Sequence, residues 1–142
     1  MRISEVIRRK GDRVVTVSRG ASVADLIEML VEHRIGAAVV IDASGAVEGI
    51  VSERDVVLAL RHAGPATREV TVGEIMTADV MTCVPEDDTE TLARTMTEKR
   101  VRHLPVVVDG RLAGIVSIGD IVKQRLDELQ LERDELVSYV QR

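Results

Sequence analysis

The sequence predicts a mixed α/β (α+β) fold: two copies of one β-α-β-β-α unit, followed by a C-terminal helix. Three observations lead there. The phrase GIVSERD at 49–55 returns as GIVSIGD at 114–120. The likeness continues upstream in register, so that Val14–Asp55 aligns with Val80–Asp120, with Leu26 on Leu92, Arg34 on Arg100 and Val40-Ile41 on Val106-Val107. Within each copy, short β-branched runs alternate with stretches whose apolar residues recur at helical spacing.

In copy one, Val14–Val17 is a short β run. Ser22 caps a helix over Val23–Arg34, whose apolar face is Val23, Leu26, Ile27, Leu30 and Val31. Ala37–Ile41 and Val47–Val51 are β runs joined through Asp42–Gly45, and Glu53–Arg61 is a helix ended by Gly64-Pro65. Copy two repeats the order: a strand at Val80–Val84, a helix from Thr89 to Lys99 capped by Asp88, strands at Leu104–Val108 and Leu112–Val116, and a last helix from Ile118. Asp109-Gly110 between those strands is a two-residue hairpin signal. Upstream, SEVI at 4–7 resembles GEIM at 73–76, after which copy one carries three extra residues and a basic loop, Arg8-Arg9-Lys10.

Neither copy buries enough surface alone, so the two form one unit, packed sheet on sheet or by exchanging helices. The boundaries are 1–62 for the first repeat, 63–71 for a linker, 72–126 for the second repeat and 127–142 for a helical extension. In that extension Val122, Leu126, Leu129, Leu136 and Val140 form a short seam with Arg133 in the vacancy. It reads either as a helix lying on its own domain or, the favoured reading, as one pairing with a second subunit, with Tyr139 packed in the seam.

Composition narrows the function. The chain has no Phe or Trp and a single Tyr, so the core is aliphatic and base stacking on aromatic rings is disfavoured. A net charge of −5 argues against a broad phosphate-neutralising surface, and hence against nucleic acid as partner. Cys83 stands alone among strand-type residues, as a buried small hydrophobe in a reducing compartment. No apolar run approaches the roughly 18–20 residues that span a bilayer, and MRISEVIRRK is no signal peptide. These features predict a cytoplasmic protein with no membrane partner. Three dispersed histidines and one cysteine make no metal constellation, and no nucleophile–base pair suggests an enzyme.

The repeated phrase has two readings. Ser followed three residues later by an acid, at a strand-to-helix junction, is a variant capping box. Ser22-Val23-Ala24-Asp25 has the same spacing with no ligand assigned, so the spacing alone indicates a cap. The flanking context adds more. Gly49 and Gly114 allow close backbone approach, and a helix N-terminus favours an anion. There the serine hydroxyl suits a phosphate and the aspartate a vicinal diol.

GIVSERD, GIVSIGD, KRVRHLPVVVDG (99–110) and VGEIMTADVMTCVPEDDT (72–89) resemble a tandem pair of cystathionine β-synthase (CBS) domains, a Bateman module. The resemblance covers nearly the whole chain. It implies two β-α-β-β-α repeats related by pseudo-two-fold symmetry, often joined as a homodimer. It also implies clefts for adenosine derivatives such as AMP, ATP, NAD(H) or S-adenosylmethionine. Carried over by position, Asp55 and Asp120 each hold a ribose, and Ser52 and Ser117 meet a phosphate. Adenine lies against backbone near Thr16 or Thr82–Val84, and near the strands at Ala37 or Leu104-Pro105.

The copies differ. Arg102 and His103 in copy two stand where copy one has Gly36 and Ala37, while copy one has Arg54 where copy two has Gly119. Copy two is therefore the expected AMP site. Copy one, with Arg54 and charge from Lys10, is a candidate for a second or larger ligand. The expected function is a stand-alone regulatory sensor, not an enzyme, whose occupancy alters its dimer or an unidentified regulated protein. The alternatives are a ligand-free dimerisation scaffold and a nucleotide-processing enzyme.

Overall fold

A computed structural model describes residues 1–11 and 13–141. The chain begins with helix α1 (Ile3–Lys10), so the expected basic loop is the last turn of a helix. Its basic residues sit where the helix dipole favours cations. A short strand β1 (Thr16–Val17) leads to α2 (Val23–His33), then to strands β2 (Ala37–Ile41) and β3 (Val47–Ser52), and then to α3 (Glu53–Ala63). The connector is structured. A 3-10 helix (Gly64–Glu69) is fastened by buried Thr67, whose hydroxyl donates to the carbonyls of Gly64 (2.6 Å) and Ala59 (3.3 Å). Helix α4 (Val72–Ile75), α5 (Thr89–Lys99), strands β4 (His103–Val108) and β5 (Arg111–Ser117), and α6 (Ile118–Val140) complete the chain.

In the first sheet β1 pairs parallel to β2, and β2 antiparallel to β3. In the second, β4 and β5 form an antiparallel hairpin. The strand expected at Val80–Val84 is reduced to one parallel bridge, Cys83 to Val106. Only the Cys83 N–H (to the Pro105 carbonyl, 3.0 Å) and carbonyl (from the Val107 N–H, 2.9 Å) join β4. One residue later the Val84 N–H turns aside to the Asp87 carboxylate at 2.9 Å, and Pro85, lacking an N–H, follows. Each hairpin carries a register shift, between Val40 and Ile41 and, at the equivalent place, between Val106 and Val107.

The halves are held together by exchange of their leading helices. One core gathers Leu26, Leu30, Ala38, Val40, Val51 and Val56 of copy one and closes with Val72 of α4. The other gathers Leu92, Met96, Leu104, Val106, Val116 and Ile121 of copy two and closes with Ile3 and Val6 of α1. The junctions repeat pseudo-symmetrically. The Ile3 and Thr89 N–H groups donate to the carbonyls of Asp87 and Met1, both at 2.9 Å. Val72 and Val23 donate to those of Ala21 and Val70, both at 2.8 Å. Each of these Val, Leu and Ile side chains contributes about 1.5–3 kcal/mol on full burial, and an aliphatic core suffices without aromatic rings.

Helix α6 runs unbroken from the second repeat into the tail. Its apolar positions Val122, Leu126 and Leu129 are exposed, as are Val57 and Leu60 on α3, and Tyr139 is 76% exposed on its own chain.

Candidate functional site

Two corners carry the repeated serine and aspartate. In the first, Ser52 ends β3 opposite Ala37 in register and caps α3. Its N–H and hydroxyl donate to Asp55 Oδ2 at 2.8 and 3.1 Å, and the Asp55 N–H donates back to Ser52 Oγ at 3.4 Å. The next N–H, of Glu53, donates to the Gly36 carbonyl at 2.9 Å. In the second corner Ser117 lies opposite His103, its N–H donates to Asp120 Oδ2 at 2.9 Å, and the Asp120 N–H donates to Ser117 Oγ at 3.0 Å. The Ile118 N–H donates to the Arg102 carbonyl at 2.9 Å, matching Glu53 and Gly36.

Both corners are thus complete capping boxes. Every hydrogen bond that either carboxylate accepts among the described residues ends on Oδ2, leaving Oδ1 open to a further donor.

The glycines of the phrase serve the helix exchange. A Cβ on Gly49 would stand 2.7 Å from the Met76 sulphur and 2.8 Å from the Thr77 carbonyl oxygen, and one on Gly114 would stand 3.0 Å from Ile7 Cδ1. The close approach expected there is made by the segment that leads the opposite repeat.

Lys10 also belongs to the other copy. Its ammonium donates to Asp120 Oδ2 at 2.6 Å and to the Ile115 carbonyl at 3.1 Å, so its charge enters the second corner and not the first. The reason is again the exchange, which packs α1 on β5 and α6. Burial alone would raise the Asp120 carboxyl, but the bonds from Lys10 and the Ser117 N–H outweigh it and hold the group below the usual carboxylate range. His103 is half-buried. Desolvation, aided by the nearby charges of Lys10 and Arg102 and opposed by those of Asp120 and Glu53, keeps its pKa below the ordinary imidazole value.

Of the remaining candidates, Arg54 and Arg102 are exposed beside their corners, and Leu104 and Pro105 are buried in β4. Thr82 and Val84 are exposed on either side of buried Cys83, whose thiol is pushed up to about 12 by burial, with a further contribution from the charge of Asp87. Since the N–H groups of Cys83 and Val84 are already engaged, Thr82 offers the free main-chain donor of that stretch among the described residues. Thr16 lines a shallow groove of about 510 Å³ with Arg19, Ile41, Asp42 and Glu48. That groove lies at the other end of β2 and β3 from Ala37 and Ser52.

Glu53 was not among the sequence candidates. It stands beside Gly36 and close enough to His103 to act on its charge, and so links the two corners electrostatically. Among the described residues no three His, Cys, Asp or Glu side chains gather as a metal would require, and no helix is long and apolar enough to cross a membrane.

The sequence profile of the CBS domain matches residues 3–62 and 72–127. The chain is similar to the CBS-domain containing protein ATU1752 from Agrobacterium tumefaciens, with 44% identity and a TM-score of 0.84 over 88% of this chain and 99% of that one. It is 32% identical to the mitochondrial CBS domain-containing protein CBSX3 of Arabidopsis thaliana, over 98% of this chain and 71% of that protein. Other curated relatives are longer, and the chain spans 32%, 43% and 61% of three of them. It also resembles the CBS domain pair of protein MJ0100, solved in complex with 5′-methylthioadenosine and S-adenosyl-L-methionine, with 25% identity and a TM-score of 0.78 over 90% of this chain and 98% of that one. Two matched repeats, their pseudo-symmetric junctions and these likenesses make the chain a tandem CBS-domain protein, a member of the CBS domain family.

Proposed function

We propose that the chain is a regulatory module that binds an adenosine nucleotide at its serine–aspartate corners, acting in the cytoplasm and without catalysis of its own. AMP is the first candidate, at the second corner. NAD(H), ATP or S-adenosylmethionine are the alternatives, and the first corner is the place for a second or larger ligand. The observation that carries the reading is the pair of corners itself. Each presents a serine, a helix N-terminus and an aspartate Oδ1 open to a diol. The reading is supported by the adenosine derivatives bound to the related MJ0100 pair. Occupancy would bias the packing of the two repeats by its differential affinity for their arrangements. The bias would pass to a homodimer partner across the exposed apolar positions of α3 and α6, or to a regulated protein.

Calorimetric titration with AMP, ADP, ATP, NAD+, NADH and S-adenosylmethionine tests the proposal. Saturable heat with at least one of them is the expected result. Heat-free titrations throughout, with an unchanged melting temperature, would defeat it.

One observation favours a second reading, a ligand-free scaffold: in both corners the serine and aspartate satisfy each other's backbone N–H as capping boxes. Under that reading Ser117→Ala costs about 0.5–2 kcal/mol of stability and alters no ligand response.

A further inference from the structure

The two corners share their capping boxes, but among the described residues the aspartate of the second alone is bonded by a cation. Lys10 reaches the second corner from α1 and spends two of its three N–H donors, on Asp120 Oδ2 and on the Ile115 carbonyl. Among the described residues no cation bonds the first corner in this way. There the backbone of Ile50, the counterpart of Ile115, is closed by Thr77, whose carbonyl and N–H pair with it at 3.0 and 2.9 Å.

The charges divide accordingly. The second corner gathers Lys10, Arg102 and Asp120, and at the first Arg54 adjoins Asp55 in sequence, with Glu53 beside Gly36 and close enough to act on His103. Counted with Glu53, the second corner is neutral and the first carries one negative charge. Without Lys10 the two would be equal.

We propose that Lys10 is the specificity-determining residue of the second corner, setting it to accept adenosine derivatives that carry a charged phosphate in preference to uncharged ones. This rests on the reading of that corner as an adenosine site. Lys10 neutralises Asp120 through Oδ2, leaving Oδ1 for a ribose hydroxyl, and keeps one N–H for a phosphate oxygen. Its side chain is one-third exposed, so that N–H is within reach of a ligand entering from solvent. A charge-assisted bond to a phosphate, absent for a neutral nucleoside, corresponds to a preference of about ten- to a hundredfold. The first corner, with its negative balance, lacks that preference.

The test is calorimetric titration of AMP and of adenosine into the wild-type chain, Lys10→Met and Lys10→Arg, each repeated at low and high potassium chloride. Asp55→Asn serves as the background that weakens the first corner. The expected wild-type preference for AMP over adenosine falls by about tenfold or more in Lys10→Met. In that variant adenosine binds as before or tighter and the salt dependence of AMP binding flattens, while Lys10→Arg keeps the preference. A Lys10→Met protein that is folded, binds AMP and retains the wild-type ratio and salt dependence overturns the role of Lys10 and leaves the adenosine site standing. A wild-type chain that binds neither compound overturns the site reading, and this inference with it.

Discussion

Gly49 lies so close to Met76 that a side-chain carbon on it would stand 2.7 Å from the methionine sulphur, with the Thr77 carbonyl oxygen at 2.8 Å. The equivalent glycine, Gly114, faces Ile7 at 3.0 Å, and what it meets is the far end of a flexible side chain. Backbone cannot withdraw as a Cδ methyl can. Gly49→Ala is therefore expected to destabilise the fold by about 1–3 kcal/mol and Gly114→Ala by less. Urea denaturation of both variants checks the order, and equal costs would mean that the two helix exchanges are equally tight.

Arg34 and Arg100, at equivalent places, close α2 and α5 in the left-handed region, with φ of 54° and 55°. Each is followed by a residue whose N–H bonds five residues back, Ile35 to the Leu30 carbonyl and Val101 to that of Met96. A side chain there costs about 1–2 kcal/mol, partly offset by the greater freedom of glycine in the unfolded chain. Arg34→Gly and Arg100→Gly should each raise stability by up to about 1 kcal/mol, read as a higher urea midpoint at unchanged slope.

The second corner makes stability depend on pH in two windows. The folded pKa of His103 is lowered, so the native state binds fewer protons there. Its neutral form favours folding above the unfolded value of about 6.5, and that contribution is lost as pH falls from about 6.5 through the lower folded value. Asp120 is also lowered, so its contribution is full above the unfolded value of about 3.9 and is lost as pH falls below that through the folded value. His103→Gln should flatten the upper window and Asp120→Asn the lower, in melting temperatures measured from pH 8 to pH 3.

Leu126 on α6 is 61% exposed and Val57 on α3 is 63% exposed, without cover from their own chain. If a second copy covers them, the wild-type chain sediments as a dimer, and Leu126→Asp with Val57→Asp sediments as a monomer at the same loading. A wild-type chain that sediments as a monomer would contradict the proposed homodimer.

Much of this fold is legible because the chain states it twice. The helices at 23–33, 53–63 and 89–99 and the four hairpin strands follow from periodicity, the caps Ser22, Ser52 and Asp88, and the Asp-Gly turn, all local signals. The duplication exposes the equivalence of the two corners. What the residues of one copy could not reveal is which partner each leading segment meets. Gly49 and Gly114 announce a close approach, but whether to a ligand or to a helix depends on contacts more than twenty residues away in one case and more than a hundred in the other. Lys10 is the plainest instance: next to copy one in sequence, it joins Asp120 at the far end of the chain. The likeness of SEVI to GEIM held the clue, since two equivalent segments must take equivalent places. The short strand at 80–84 misled for a different reason. Its β-branched residues suit a strand, but the ladder it joins has room for one residue before Asp87 captures the next N–H.

The central claim is that the serine–aspartate corner binds a ligand besides capping a helix, and the most direct measurement is the melting temperature with and without AMP, in the wild-type chain and in Asp120→Asn. At AMP about 100-fold above its Kd, ligand binding contributes about 2.7 kcal/mol, a rise of several degrees. The account predicts that rise in the wild type and its loss in Asp120→Asn, each rise read against the same protein without ligand, since the ligand-free variant melts lower at neutral pH for want of the carboxylate that Lys10 and the Ser117 N–H bind. An equal rise in both proteins, or none in either, would contradict it.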